Sequence, residues 1–453
     1  MESKKWDIVI KEGEVVFPDA RKIEKKDIFI KDGKIKAISG VGAFSTDEAE
    51  KTIDARGLMV SPGFIDIHMH NEEREDPYTV EKSLLLQGVT TALAGNCGSG
   101  LLMDEFLSII KKPYINMAFL TGHRRLREAA GVSNAYQEAM PKEISKMCDI
   151  LEKELEKGSL GLSLGLEYAP NTSWEEIWSL TKVVSQFNKR LVSSHIRFDG
   201  PRCIEAVEEM ITLAEKSKVR MQISHLGSMT AFGKSAEALE MIKKARDRGV
   251  DIGFDTYPYG AFCTFMGSTV FDPGFEERWN KGLDALEVAS GPHKGKRLND
   301  ELYKELRENA PSTLIVAHVM NEDEMKLCLR HPMAALGSDA VLERKSGHPR
   351  AAGAFPRGLR WLREEGLSWP EAICHLTTIP AERMWMDSTI GAIKEGFSAD
   401  FVLFDPDKLE DKATFNDPLL PPEGIEYVVI GGNVAVEKGK LLDEPQGNFI
   451  LRK

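Results

Sequence analysis

The sequence has 453 residues, 42% of them hydrophobic and 29% charged, with a formal net charge of −12. This composition is typical of globular proteins and excludes chain-wide disorder, collagen and coiled coil. The acidic excess argues against nucleic acid and anionic membranes as partners. No apolar run approaches the ~18 residues of a transmembrane helix, and no apolar signal region follows Met1, so we expect a cytoplasmic protein.

Short strands with alternating polarity are predicted at both ends of the chain. The predicted N-terminal strands start at Asp7, Glu14 and Asp27, with turns at Glu12-Gly13 and Asp32-Gly33. The predicted C-terminal strands start at Asp400, Tyr427 and Val434, with a hairpin at Gly431-Gly432-Asn433. Because chain ends often lie close together, residues 1–57 and 390–453 are predicted to form one small antiparallel β-sandwich domain.

The middle of the chain, 58–389, alternates strands with helices. Apolar strands are predicted to start at Leu58, Val89, Ile115, Leu160, Leu191, Val219, Val250 and Ala334. Helical patterns cover 136–157, 173–188, 201–217 and 234–248. This alternation predicts a parallel sheet, and eight strands indicate a (β/α)8 TIM-type barrel. The stretch 263–312 is too long for a connector and is predicted to be a lid or insertion over the strand ends.

Metal-ligating side chains recur where predicted barrel strands end. His68 and His70 close the first strand and share one face, because residues i and i+2 of a strand point the same way. The later strand ends carry Cys97, His195, His225 and Asp339. The carboxyl ends of barrel strands meet at one face, so these side chains are predicted to converge. A thiolate with imidazoles favours Zn²⁺ over Mg²⁺ or Ca²⁺.

The chain resembles the amidohydrolase superfamily and, within it, the D-aminoacylase (N-acyl-D-amino-acid deacylase) family. The motifs that carry the resemblance occur in family order over nearly the whole chain. They include Pro62-Gly-Phe-Ile-Asp-Ile-His-Met-His, Gly95-Asn-Cys-Gly, Ser194-His-Ile-Arg, Ile223-Ser-His, Tyr257-Pro-Tyr, Gly337-Ser-Asp and Gly347-His-Pro-Arg. Most members of the superfamily carry a bridging lysine on the fourth strand, whereas this strand ends in Leu164-Gly-Leu-Glu167.

The resemblance implies a role for each matching residue. One tightly bound zinc ion is implied on Cys97, His195 and His225, and a weaker second ion on His68 and His70 with Cys97 shared. Asp339 is implied as the general acid and base. Arg350 and Tyr257 are implied as contacts of the substrate carboxylate.

Three positions depart from the family pattern. Gly227 stands where a lysine is usual, Cys263 where serine or threonine is expected, and Ala352 where an aromatic residue is frequent. All three lie in the implied substrate-binding region and none in the metal set. With Arg350 present but no lysine at position 227, the substrate site has one cationic residue instead of two. This weakens the expectation that the substrate carries a free α-carboxylate, and a smaller, uncharged or cyclic substrate stays an alternative.

Two charged residues near the strand ends have more than one interpretation. Glu167 either supports the site from behind or serves as a ligand in place of the missing lysine. Arg197 shares a face with His195 and forms either an ion pair or a substrate contact.

The expected activity is zinc-dependent hydrolysis of an amide C–N bond in a small molecule, with deacylation of an N-acyl-D-amino acid as the main hypothesis. A cyclic-amide hydrolase of the hydantoinase or dihydroorotase type, or a deaminase, would use the same metal site. A non-catalytic scaffold would have lost ligands, and none is lost here. The oligomeric state stays open.

Overall fold

The computed structural model describes residues 5–43, 45, 48–70 and 76–452. The N-terminal strands are β1 (Trp6–Phe17), β2 (Lys22–Lys31), β3 (Lys34–Ser39), β4 (Ala49–Asp54) and β5 (Met59–Pro62). The strands of the middle are β6 (Phe64–Met69), β7 (Val89–Ala94), β8 (Asn116–Phe119), β9 (Thr121–Gly122), β10 (Gly161–Gly165), β11 (Leu191–His195), β12 (Arg220–Ile223), β13 (Ile252–Thr256), β14 (Phe262–Phe265), β15 (Leu286–Val288), β16 (Leu314–Ala317), β17 (Ala334–Leu336), β18 (Leu342–Glu343) and β19 (Ser346–Gly347). The C-terminal strands are β20 (Phe401–Phe404), β21 (Ile425–Ile430), β22 (Asn433–Glu437) and β23 (Lys440–Leu441).

The helices lie mainly between the strands of the middle region. They are α1 (Thr79–Leu86), α2 (Met103–Ile109), α3 (His123–Ala130), α4 (Pro141–Lys157), α5 (Trp174–Val184), α6 (Cys203–Ser217), α7 (Leu226–Thr230), α8 (Ser235–Asp247), α9 (Phe275–Trp279), α10 (Asp300–Asn309), α11 (Glu322–Leu329), α12 (Arg350–Glu364), α13 (Trp369–Cys374) and α14 (Thr378–Arg383). Helix α4 begins later than the predicted 136–157 because Pro141 occupies its first turn, where a missing N–H costs nothing. No helix in the described part of the chain is long and apolar enough to cross a membrane.

The strands of both chain ends pair in one nine-stranded sheet. Its order is β23-β22-β21-β20-β5-β1-β2-β3, with β4 beside β1. The sheet is mixed, because β4 and β5 both run parallel to β1. The predicted antiparallel sandwich is therefore wrong in its pairing: β1 is 12 residues long, so its first half pairs with β4 and its second half with β5.

Two local predictions at the chain ends are also corrected. Glu12-Gly13 is not a turn between strands but an irregularity within β1, where the register shifts and Glu12 has a φ of 58°. The strand expected to open the barrel at Leu58 is β5, which pairs with β20 instead. The predicted turn at Asp32-Gly33 and the hairpin before Asn433 are confirmed.

Nine of the described strands of the middle form two parallel sheets. One contains β6-β7-β8, and the other contains β17-β13-β12-β11-β10-β9. They meet at both edges: the Leu160 amide, just before β10, donates to the Phe119 carbonyl of β8 at 2.9 Å, and the Asp339 amide donates to the His68 carbonyl at 2.7 Å. The described strands thus give a mixed α/β fold, and full closure of an eight-stranded barrel stays a prediction.

The predicted insertion at 263–312 has its own secondary structure, which extends beyond these bounds to Phe262 and Ala317. Strands β14 and β15 flank β16 in an antiparallel sheet. Helix α9 packs on this sheet through an aromatic cluster of Phe262, Phe271, Phe275 and Trp279. Aromatic rings contribute large apolar area and pack in fixed tilted pairs. The insertion therefore forms an ordered wall beside the ends of the parallel strands.

Candidate functional site

The predicted ligands come together at the carboxyl ends of the parallel strands. Two overlapping groups have their donor atoms within 4.8 Å of one another: His68, His70, Cys97 and Asp339, and then Cys97, His195 and His225. The Cys97 Sγ belongs to both groups. It lies 3.2 Å from the His68 Nε2 and 3.3 Å from the His225 Nε2. The predicted convergence of these strand ends is present in the structure.

Three residues of this cluster have a left-handed backbone. The φ angles of Cys97, His225 and Asp339 are 52°, 34° and 50°. This region is unfavourable for residues with a Cβ and persists where the surrounding structure enforces it. Next to Cys97, a Cβ on Gly98 would lie 2.7 Å from the Gly165 amide nitrogen. The tight turn that carries the thiol therefore needs a glycine at its next position.

One ring nitrogen of each imidazole in the cluster forms a hydrogen bond with a side chain that orients the ring. The pairs are His68 Nδ1 with Asp255 Oδ1 at 2.9 Å, His70 Nδ1 with Ser99 Oγ at 3.1 Å, His195 Nε2 with Glu167 Oε2 at 2.8 Å, and His225 Nδ1 with Ser228 Oγ at 2.9 Å. Hydrogen bonds of this kind fix the orientation of a histidine ring, as they do for histidines that bind metals. Glu167 thus contacts the His195 ring, and it belongs to neither of the two donor groups.

The sequence interpretation missed Asp255, Ser99 and Ser228. Asp255 lies within β13, near its carboxyl end, so its position in the strand pattern was a usable signal. Its Oδ1 also accepts a hydrogen bond from the His225 amide at 2.8 Å. Asp255 therefore ties together one histidine from each donor group.

The charges of the cluster stabilise positive charge on His68 and His195. Burial raises the pKa of the Cys97 thiol, but His68 and His225 outweigh burial and hold it well below its usual range. Burial lowers the pKa of His195, yet Cys97 and Glu167 raise it to about 9. The pKa of His68 is likewise raised well above its usual value, because Cys97, Asp255 and Asp339 overcome burial. A site with this charge pattern suits a cation.

Asp339 lies between the histidines and Arg350. Its Oδ1 is 3.2 Å from the His70 Nε2, and its Oδ2 is 2.9 Å from the Arg350 Nη1. Burial raises the pKa of Asp339, but Arg350 and His68 reverse this effect and hold it well below its usual range. Asp339 is therefore ionised at neutral pH.

Arg350 is almost completely buried, with 1% of its surface exposed. Its guanidinium carbon lies 4.7 Å from the centre of the Tyr257 ring, and its Nη2 donates to the Cys263 carbonyl at 3.3 Å. The Arg350 Nε has no hydrogen-bond partner among the described residues. A buried polar group without a partner is unusual, and a guanidinium is a strong donor toward anionic groups.

A cleft of about 780 Å³ opens onto this cluster. Its lining includes Cys97, His225, Asp339 and Arg350 from the cluster. The insertion contributes another wall through Thr264, Phe265, Ser268 and Thr269. The space is large enough for a small molecule of the usual size of an enzyme substrate.

Arg197, for which the sequence left two interpretations, and His123 both bind acidic partners outside the cluster. Arg197 pairs with Glu209 at 2.9 Å and donates to the Pro170 carbonyl, so it forms an ion pair rather than a contact of the cluster. His123 lines the cleft, but its Nε2 is 2.7 Å from the Glu176 carboxylate.

Comparisons with known proteins agree with this architecture. The profile of the amidohydrolase family matches residues 169–436. An N-acyl-D-glutamate deacylase of Alcaligenes xylosoxydans xylosoxydans is 32% identical, over 95% of this chain and 93% of the relative. A D-aminoacylase of the same organism is 29% identical, over 100% of this chain and 99% of the relative. The crystal structure of N-acyl-D-glutamate deacylase from Bordetella bronchiseptica, complexed with zinc and a phosphonate mimic of the tetrahedral intermediate, superposes with a TM-score of 0.88 at 28% identity, covering 99% of this chain and 100% of that one. With a family profile over more than half of its length and a relative above 30% identity, this chain belongs to the amidohydrolase family.

Proposed function

We propose that this amidohydrolase removes the acyl group from an N-acyl-D-amino acid with the help of zinc. The observation that carries the proposal is the buried Cys97 thiolate, shared by two donor groups and adjacent to the ionised Asp339. The similarity to an N-acyl-D-glutamate deacylase and a D-aminoacylase supports a linear amide as the substrate. We further propose that the two parallel sheets close into one (β/α)8 barrel, because hydrogen bonds join them at both edges.

The residues of the cluster fit a zinc ion. Zinc takes thiolate and imidazole ligands, with bonds of about 2.3 Å to sulfur and about 2.0 Å to nitrogen, which separate S from N by about 3.5 Å in a tetrahedral site. The observed separations of 3.2 Å and 3.3 Å at Cys97 are close to that value. The His195 Nδ1 is buried and has no hydrogen-bond partner among the described residues, so it is a donor atom in need of a ligand.

We assign Cys97, His195 and His225 to a tight site, and His68 and His70, with Cys97 shared, to a weaker one. The zinc ion would supply Lewis acidity, which would lower the pKa of water toward about 7 and polarise the amide carbonyl. The protein contributes the ligands, their fixed orientation and a buried setting.

Asp339 is proposed as the general base and then the general acid. Its ionised carboxylate accepts a proton from the attacking water and delivers it to the leaving amide nitrogen. One carboxylate serves both steps because attack and departure occur on neighbouring atoms. Arg350 at 2.9 Å keeps this carboxylate ionised and in place.

Arg350 and Tyr257 are proposed to position the substrate. The Arg350 Nε has an unused N–H, and the Tyr257 ring supports the guanidinium from one face. Arg350 lines the cleft next to Asp339, so a substrate carboxylate held by this guanidinium would lie near Asp339. The rest of the cleft would accommodate the side chain and the acyl group.

A substrate panel tests the proposal. The zinc-loaded protein is assayed on N-acetyl-D-amino acids, their L enantiomers, dipeptides, hydantoins and dihydroorotate. We expect turnover of the N-acetyl-D-amino acids, and Asp339→Asn should lower kcat by about 10²–10⁴-fold while zinc content stays unchanged. Turnover of the cyclic amides alone would favour the cyclic-amide alternative, and full activity of Asp339→Asn would overturn the role of this carboxylate.

A further inference from the structure

Helix α9 of the insertion reaches the carboxylate behind one of the proposed zinc ligands. The Arg278 Nη1 donates to the Glu167 Oε1 at 3.0 Å. The other carboxylate oxygen of Glu167 lies 2.8 Å from the His195 Nε2. A continuous path of three side chains therefore runs from the insertion to the ring of His195.

Arg278 is held in this place by several contacts. Its Nε lies 3.0 Å from the Asp199 Oδ1, and its Nη2 donates to the Val270 carbonyl at 2.6 Å. The indole N–H of Trp279 donates to the other oxygen of Asp199 at 2.7 Å. The insertion also contacts Glu167 a second time, since the Thr269 hydroxyl donates to its backbone carbonyl at 2.5 Å. The arginine is thus fixed relative to both the insertion and the strand ends.

Arg278 supplies the positive charge for two buried acids. Glu167 and Asp199 are 6% and 3% exposed. Two buried carboxylates without a nearby cation are unfavourable, and removal of one partner from a buried ion pair is strongly destabilising. Without Arg278, we expect Glu167 to lose its fixed orientation and its hold on His195.

We infer that Arg278 is a positioning residue for the metal centre, acting through Glu167 on His195. The inference rests on the proposed function, because it takes His195 as a zinc ligand. Carboxylates that orient a ligating histidine typically contribute 10–100-fold to metal affinity. The same insertion lines the cleft through Ser268 and Thr269, so its docking and the retention of zinc are coupled.

Zinc release to a chromogenic chelator tests the inference without any measurement of catalysis. The zinc content of the wild-type protein is measured first, and then the release rates of the wild type and Arg278→Gln are compared. We expect release from Arg278→Gln to be about 10-fold faster or more. Arg278→Lys, which retains the charge but not the forked geometry, should fall between the two.

Arg307 provides the matched control. It is another arginine of the insertion, and it binds Asp272 at 2.7 Å and the carbonyls of Met266 and Ser268. Arg307→Gln weakens the insertion without touching Glu167, so its zinc release should stay within about twofold of the wild type. Circular dichroism of each variant verifies that it is folded.

The outcomes separate the two proposals. A wild-type protein that takes up no zinc overturns the proposed function and this inference with it. A wild type that binds zinc, together with an unchanged release rate in Arg278→Gln, overturns this inference alone. Equal acceleration in Arg278→Gln and Arg307→Gln also overturns it, because general loosening of the insertion would then explain the effect.

Discussion

Gly227 faces the thioether of Met325: a Cβ added to the glycine would lie 2.8 Å from the Met325 Sδ and 2.6 Å from the Thr256 Oγ1. Real Cβ atoms are essentially never this close to a neighbour. The resemblance to D-aminoacylases places a lysine at this position, and here helix α11, which carries Met325, occupies the space a side chain would need. The packing of Met325 and Thr256 around Gly227 therefore leaves no room for a lysine side chain at this position.

We predict that Gly227→Lys destabilises the protein by about 1–3 kcal/mol, because overpacking forces neighbouring side chains and backbone to shift. Urea unfolding measures the change. Gly227→Lys combined with Met325→Ala should recover part of the loss, since the smaller side chain vacates the contact. Gly40→Lys is the control, because a Cβ there meets nothing within 4 Å. Equal stability of Gly227→Lys and the wild type would contradict this account.

Asp255 should matter mainly for the proposed weaker metal site. We predict that Asp255→Asn lowers the zinc affinity of the group containing His68 by about 10–100-fold, because the neutral amide orients the ring less firmly than the carboxylate at 2.9 Å. Metal analysis after dialysis against graded chelator concentrations measures the loss. The ion on Cys97, His195 and His225 should be retained, because the asparagine side chain keeps an oxygen that can accept from the His225 amide.

Asp251→Asn serves as the control for Asp255→Asn. Asp251 precedes the same strand, β13, at its other end and pairs there with Arg220 and Arg383. This substitution also removes a carboxylate but leaves the cluster untouched. Zinc retention by Asp255→Asn equal to that of Asp251→Asn would rule out the role assigned to Asp255.

The candidate ligands were predictable because each signal is local in the sequence. His68 and His70 need only the two-residue repeat of a strand, and His195 and His225 need only the ends of apolar runs. The pairing of His68 with Asp255 was not predictable in this way, although the position of Asp255 near a strand end was visible in the sequence. Asp255 lies 187 residues further along the chain, and the choice of partner depends on the ring orientation in the assembled fold.

The errors at the chain ends have a similar origin. The sequence marks β5 as an apolar strand but does not specify its neighbour, and β20 is supplied from the other end of the chain. Likewise, Glu12-Gly13 has the composition of a turn. The strand continues through it because Glu12 takes a positive φ and its amide donates to Asp27 at 2.8 Å. In both cases, contacts with residues distant in the sequence determined the structure.

Arg350 should favour substrates with a negatively charged α-carboxylate over substrates with a neutral group in its place. We predict that Arg350→Met lowers kcat/KM about 10–100-fold more for an N-acetyl-D-amino acid than for its α-amide analogue, since a hydrogen bond to a charged group is worth about 1.5–3 kcal/mol. The amide comparison separates this effect from the loss of the Asp339 contact, which both substrates share. Arg124→Met, an exposed change at the cleft, is the control. An equal loss for both substrates would show that Arg350 acts on Asp339 alone.

His375 provides a test of pH-dependent stability away from the candidate site. Its ring is 3% exposed, and its Nδ1 lies 2.8 Å from the Ala334 carbonyl. Burial lowers the pKa of His375 to about 4, whereas the unfolded chain protonates near pH 6.5. The unfolded state therefore binds the proton first as the pH falls. The stability associated with a neutral His375 is complete above pH 6.5 and is lost as the pH falls toward 4.

We predict that protonation of His375 in the unfolded state lowers the free energy of unfolding of the wild type by about 3 kcal/mol as the pH falls from 7 to 4. His375→Asn keeps an N–H near the Ala334 carbonyl but does not titrate, so its stability should fall less over the same interval. Urea unfolding of chelator-treated protein measures the difference without a contribution from bound metal. His293→Asn, at a partly exposed ring, should leave the wild-type slope unchanged. Parallel pH profiles for the wild type and His375→Asn would mean that the buried ring takes up a proton as readily as the unfolded chain does.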